Sequence, residues 1–98
     1  RMLLLGFSFK ANCDDIRNTR TYDIYEMMNR YTHHITIYDP LVNPVKVRLE
    51  YGVDVETDEE SLSDEGYDAV VICTNHSIFK KPRKWLKEGG RVYTLKSV

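Results

Sequence analysis

Short apolar runs, stopped by glycine, proline or aspartate and separated by longer polar or amphipathic segments, constrain this chain more than anything else in it. Met2-Leu3-Leu4-Leu5 ends at Gly6 and is too short for a helix, so it reads as a buried strand. Residues 34 to 38 are β-branched and aromatic, and Asp39-Pro40 stops them as a second strand. Ala69-Val70-Val71-Ile72-Cys73 is apolar on both faces, as a strand covered on both sides must be. Val92-Tyr93 begins a closing strand, and Val53 and Val55 alternate with Asp54 and Glu56 in a short half-exposed one.

The segments between them carry helical signals. Tyr22, Ile24, Met27, Met28 and Tyr31 recur mostly at three- and four-residue steps, with Asn18 or Thr19 placed to cap the helix through a side-chain oxygen. Asn43-Pro44 starts a second helix and Gly52 suits its end. The acidic stretch 58 to 66 reads as a short helix between turns, and a last helical turn at 82 to 87 is expected to stop at Gly89-Gly90. Strands alternating with helices predict an α/β fold: a three-layer, Rossmann-like, doubly wound and mostly parallel sheet. In such a sheet ligands sit beyond the carboxyl ends of the strands, here after Leu5, Tyr38 and Cys73.

Ninety-eight residues, 42% apolar and 30% charged, make one globular domain over residues 1–98. A net charge of −1 argues against nucleic acid and anionic membrane as partners, and no apolar run approaches the roughly 20 residues that span a bilayer. Arg1-Met2-Leu3-Leu4-Leu5-Gly6 is too short an apolar stretch for a signal peptide. Cys13 and Cys73 give neither a disulfide framework nor metal-site spacing, which fits a reduced, cytoplasmic setting. The chain opens directly on a strand without an initiator, so a domain cut from a longer protein is expected.

Residues 6 to 20 carry the most chemistry. This loop lies where a Rossmann protein places its phosphate turn, yet Gly6 is its only glycine and Gly-x-Gly-x-x-Gly is absent. Lys10, Arg17 and Arg20 stand there instead, beside a helix N-terminus that favours anions. The competing reading is a solvated loop whose cations pair with Asp14 and Asp15.

The run Gly6-Phe7-Ser8-Phe9-Lys10, with Asn12-Cys13, Asp15-Ile16-Arg17 and Asn18-Thr19-Arg20, resembles the loop that opens the C-terminal domain of UDP-glucose/GDP-mannose dehydrogenases. It is most similar to the branch acting on UDP-N-acetylhexosamines for capsule, Vi-type or O-antigen polysaccharide. Tyr38-Asp39-Pro40 resembles the family's second-strand ending, and Tyr67 to Thr74 with His76 and Phe79 its fourth strand and following loop. The resemblance implies a nucleotide-sugar (UDP)-binding domain at the C-terminal end of a longer, homodimeric enzyme. That enzyme oxidises a sugar C6 alcohol to a carboxylate with NAD, which the first domain holds. It further implies that Phe9 and Lys10 meet the UDP-sugar and that Arg17 reaches NAD on the neighbouring domain. The catalytic cysteine and lysine of the family lie outside this chain, so the domain alone is expected to be inactive. The family's closing strand usually ends in an Asp followed shortly by Arg-Asn; Lys96 stands near that arginine's position here.

Other residues have plainer readings. Asp39 is placed to bind a ribose hydroxyl or to make a structural Asp-Pro turn, and without the glycine fingerprint the turn is favoured. Cys73 reads as a small buried hydrophobe. His33, His34 and His76 lack the spacing of metal ligands. Lys80, Lys81, Arg83, Lys84 and Lys87 form a basic cluster around Trp85, read as a solvated face or a contact with a neighbouring domain rather than a nucleic-acid surface. The alternative function is a Rossmann-like regulatory or interaction module without nucleotide chemistry.

Overall fold

A computed structural model describes residues 1–95; Lys96, noted above, lies outside the described residues. Four parallel strands, β1 (Met2–Leu5), β2 (Ile35–Tyr38), β3 (Tyr67–Ile72) and β4 (Leu86–Thr94), form one sheet in the order β2-β1-β3-β4. The chain moves outward from β1 to β2, then returns to lay β3 on the other side of β1. This reversal makes the β1–β3 boundary the topological switch point.

Alternation along the strands splits the core in two. Leu3, Leu5, Val70 and Ile72 face one way and pack with Tyr38, Leu62, Phe79 and Trp85. Leu4 and Ile37, with Val71 and Cys73, face the other, where Phe7, Ile16, Val47, Val53 and Val55 meet them. Helices α1 (Thr21–Met28) and α2 (Pro44–Tyr51) contribute to this second cluster through Tyr22, Ile24, Tyr25, Val47 and Tyr51. On the first face the outer layer is built from 3-10 turns at Glu59–Ser61 and Pro82–Trp85.

The ends of α2 follow the sequence. Asn43 accepts hydrogen bonds from the N–H groups of Val45 and Lys46, Pro44 occupies the first turn, and Gly52 closes the helix at φ 71°. Helix α1 departs from expectation. It ends at Met28, its N-cap residue is Arg20, and Thr19 Oγ1 accepts from Thr21 N–H at 3.2 Å rather than capping from the N-cap position itself. Tyr31 is 79% exposed, because Tyr25 supplies the buried face that the periodicity gave to Met27 and Tyr31.

Two further expectations are corrected. Gly89-Gly90 does not end a helix: both lie inside β4, beside an irregularity in its pairing with β3. A Cβ on Gly90 would sit 2.9 Å from the Tyr67 carbonyl oxygen, so this glycine permits close backbone approach. The segment at Val53 and Val55 is not a strand. Both valines are buried, but the pairing is one isolated bridge between Tyr38 and Glu56.

Candidate functional site

A cleft of about 730 Å³ opens at the carboxyl edge of the sheet, at the switch point. One side is the loop after β1, with Ser8, Phe9, Lys10 and Ala11; the other is the end of β3 and its loop, with Cys73, Thr74 and Asn75. Arg20 at the start of α1 and Thr94 and Leu95 at the end of β4 complete it.

The loop after β1 is long but well fastened. Gly6 adopts φ +93° and lies so close to the β3 loop that a Cβ there would be 2.5 Å from Thr74 Cβ. Phe7 and Ile16 are buried as anchors, and the Tyr51 hydroxyl donates to the Ile16 carbonyl at 2.7 Å. Phe9 N–H donates to the Asp15 carbonyl across the loop at 2.8 Å. Asn12 and Asn18 take the left-handed conformation that asparagine tolerates best among non-glycine residues. Asn12 also exchanges two hydrogen bonds with Ser77, at 2.9 and 2.8 Å.

Beneath the cleft lies a buried polar hub. Asp39 Oδ2 accepts from Phe7 N–H at 2.7 Å and from Ser8 N–H at 3.4 Å, while its other oxygen accepts from Leu41 N–H at 2.9 Å. His76 Nδ1 accepts from Asn12 N–H at 2.8 Å, so that nitrogen carries no proton and Nε2–H is the donor to Asp39, 2.9 Å away. Ser8 Oγ donates to the Lys10 carbonyl at 2.8 Å, and Thr74 Oγ1 donates to the Ser8 carbonyl at 2.6 Å. Asp39 thus ties together the loops following β1, β2 and β3. It is fully buried and spoken for, which makes it the structural Asp-Pro turn and not a ribose ligand.

The sequence-picked residues divide. Phe9, 50% exposed, and Lys10 both line the cleft, with the Lys10 ammonium 5.9 Å from the Phe9 ring centre. Arg17 is outside the cleft lining. Its exposed guanidinium grips Asp15 through Nε at 3.0 Å and Nη2 at 2.8 Å, and this holds the Asp15 carboxyl down at about 2. Cys73 sits on the cleft wall, where burial pushes its thiol up to about 12. From the sequence Cys73 reads as a small buried hydrophobe, and it does pack against the second core cluster; His76 reads as part of the stretch resembling the family's loop after its fourth strand, with no partner named. For Cys73 the available signal was its place at the carboxyl end of a central strand. For the buried contacts of His76 there was none, since its partners Asp39 and Asn12 lie 37 and 64 residues away. Among the described residues no group of three or more His, Cys, Asp or Glu side chains is placed to hold a metal ion.

Comparison with known proteins agrees with this geometry. The chain is 40% identical over 80 residues to the UDP-N-acetyl-D-glucosamine 6-dehydrogenase of Salmonella typhi, and 36% identical over 80 residues to that of Pseudomonas aeruginosa. Each alignment covers 82% of this chain but 18% of the relative, so the chain spans about a fifth of their length. Among solved structures, the UDP-N-acetyl-mannosamine dehydrogenase Cap5O of Staphylococcus aureus superposes with a TM-score of 0.62 at 25% identity, over 96% of this chain and 26% of that one. GDP-mannose dehydrogenase of Pseudomonas aeruginosa shares the fold at a TM-score of 0.70 and 21% identity, over 97% of this chain and 24% of that one. Residues 3–95 match the model of the UDP-glucose/GDP-mannose dehydrogenase family, UDP binding domain, and the chain belongs to that family.

Proposed function

We propose that this chain is the C-terminal, UDP-sugar-binding domain of an NAD-dependent nucleotide-sugar 6-dehydrogenase, which converts a sugar C6 alcohol to a carboxylate for polysaccharide synthesis. The carrying observation is the position of Lys10: an exposed cation lining a cleft at the switch point, on a loop held rigid from below. The family match supports it and speaks against a regulatory module without nucleotide chemistry. The two UDP-N-acetyl-D-glucosamine 6-dehydrogenases support a UDP-N-acetylhexosamine as the substrate.

This chain's part is positioning. Phe9 offers an exposed ring and Lys10 a point charge to the nucleotide-sugar. The first turn does not fit NAD, since Gly6 is packed against Thr74 and no glycine cradle remains for a dinucleotide. In this reading NAD belongs to another domain of a cytoplasmic, homodimeric enzyme, and the exposure of Arg17 outside the cleft supports its reaching that cofactor. Holding two reactants in register removes much of the entropic barrier between them.

Calorimetric titration of this chain with UDP and, separately, NAD tests the reading. UDP is expected to bind preferentially, and Lys10→Ala to weaken it. Equal or tighter binding of NAD would overturn the proposal.

A further inference from the structure

Arg17 and Arg20 stand one helical turn apart in sequence, in opposite circumstances. Arg17 spends its guanidinium on Asp15 with two hydrogen bonds. Arg20 lines the cleft with Lys10, and among the described residues neither of these two cations forms an ion pair. The placement of Arg20 is also built. Its neighbours Thr19 and Thr21 are both buried, and the Thr21 hydroxyl donates to the Gly6 carbonyl at 2.7 Å. Thr21 N–H bonds back to Thr19 Oγ1 at 3.2 Å. The residue after Arg20 is thus fastened to the end of β1 through its hydroxyl, and the one before it to that residue, while the Arg20 side chain stays exposed and makes no capping bond.

We propose that Arg20 is a second phosphate-binding residue of this cleft, acting with Lys10 on the pyrophosphate of a nucleoside-diphosphate sugar. This rests on the reading of the cleft given under Proposed function. A pyrophosphate diester carries two negative charges at neutral pH, and Lys10 and Arg20 supply two positive ones. The planar guanidinium donates two parallel hydrogen bonds to one phosphate, and the ammonium serves the other as a point charge. Arg17 is less suited to this role, because it lies outside the cleft lining.

The test is titration of this chain and its variants with UDP and with uridine, which lacks the phosphates. Arg20→Ala should weaken UDP about tenfold or more and leave uridine unchanged, the size expected for a charge-assisted hydrogen bond. Arg20→Lys, which keeps the charge and loses the fork, should recover part of the loss. Lys46→Ala on exposed α2, away from the cleft, controls for net charge and should not alter UDP binding. Matching thermal midpoints establish that each variant is folded. If Lys10→Ala weakens UDP while Arg20→Ala does not, or if Arg20→Ala weakens uridine equally, the Arg20 assignment is overturned and the cleft reading stands. If neither variant changes UDP affinity, the nucleotide-binding reading of the cleft falls as well.

Discussion

His76 and Asp39, neither of them solvent-exposed, meet through a 2.9 Å hydrogen bond between Nε2 and Oδ2 under the floor of the cleft. The contact links the loop after β3 to the end of β2, and further bonds of both side chains, to the Phe7, Ser8 and Asn12 N–H groups, run into the loop that carries Phe9 and Lys10. A loop without regular structure is thereby fastened from below. Removing the imidazole leaves a buried carboxylate short of a donor and the Asn12 amide without its acceptor. His76→Ala should therefore cost about 3 kcal/mol of stability. Urea unfolding of the variant reads this directly, and a loss well under 1 kcal/mol would mean that water or a shifted loop replaces the ring.

Gly6 is a sharper constraint. Its φ of +93° disfavours any side chain, and a Cβ would meet Thr74 at 2.5 Å (Cβ), 2.7 Å (O) and 2.8 Å (N), mostly backbone that cannot rotate away. Strain and overpacking each contribute about 1–3 kcal/mol, so Gly6→Ala should cost about 4 kcal/mol or prevent folding. Gly52 provides the comparison: it too has positive φ, at +71°, but a Cβ there meets nothing within 4 Å. Gly52→Ala should lose only about 1 kcal/mol. Similar midpoints for the two variants in thermal unfolding would show that the Gly6–Thr74 approach relaxes freely.

The parts of this fold that sequence made legible are those whose cause is local. β1, β2 and β3 are apolar runs with stops, and α2 carries its cap, proline and closing glycine within ten residues. The place of Lys10 in the loop after β1 could be read for the same reason, whereas the switch point between β1 and β3 waits on the strand order. What escaped was set by distant partners. Gly89-Gly90 looks like a stop signal until β4 is laid against Tyr67 and Asp68, whose carbonyl oxygens need the space a Cβ on Gly90 would fill. Asp39 and His76 are polar residues in loops, and only the closing of three loops on one point buries them. The pairing of Arg17 with Asp15 was foreseen as one of two possibilities, and local spacing could not choose between them.

That pair makes a prediction of its own. Hydrogen bonding from the Arg17 side chain, then from its backbone N–H, lowers the Asp15 pKa from 3.8 to about 2. The folded value lies below the unfolded one, so the pair's contribution to stability is complete above the unfolded pKa. It is lost as the pH falls through about 2. Because the groups are exposed, the contribution is small and salt weakens it. Carbon-13 titration of the Asp15 carboxyl should show the low value, and Arg17→Gln, which keeps the backbone N–H, should return it part of the way to 3.8. An unmoved titration in that variant would assign the depression to another cause.

Cys73 tests how closed the wall of the cleft is. Burial raises its thiol to about 12, so at pH 8 the reactive thiolate is scarce. Cys13 sits elsewhere, in the loop after β1, half-buried with its sulfur accepting from Asp15 N–H at 3.3 Å. A chromogenic disulfide reagent at pH 8 should therefore modify one thiol promptly in the folded chain, and peptide mapping should place it at Cys13. Cys73→Ser should keep that fast equivalent, and urea should release a second in the unsubstituted chain. Prompt reaction of both thiols without denaturant would mean that the β3 end of the cleft opens on the time scale of labelling, and a wall that opens so readily cannot hold Thr74 against Gly6 as described.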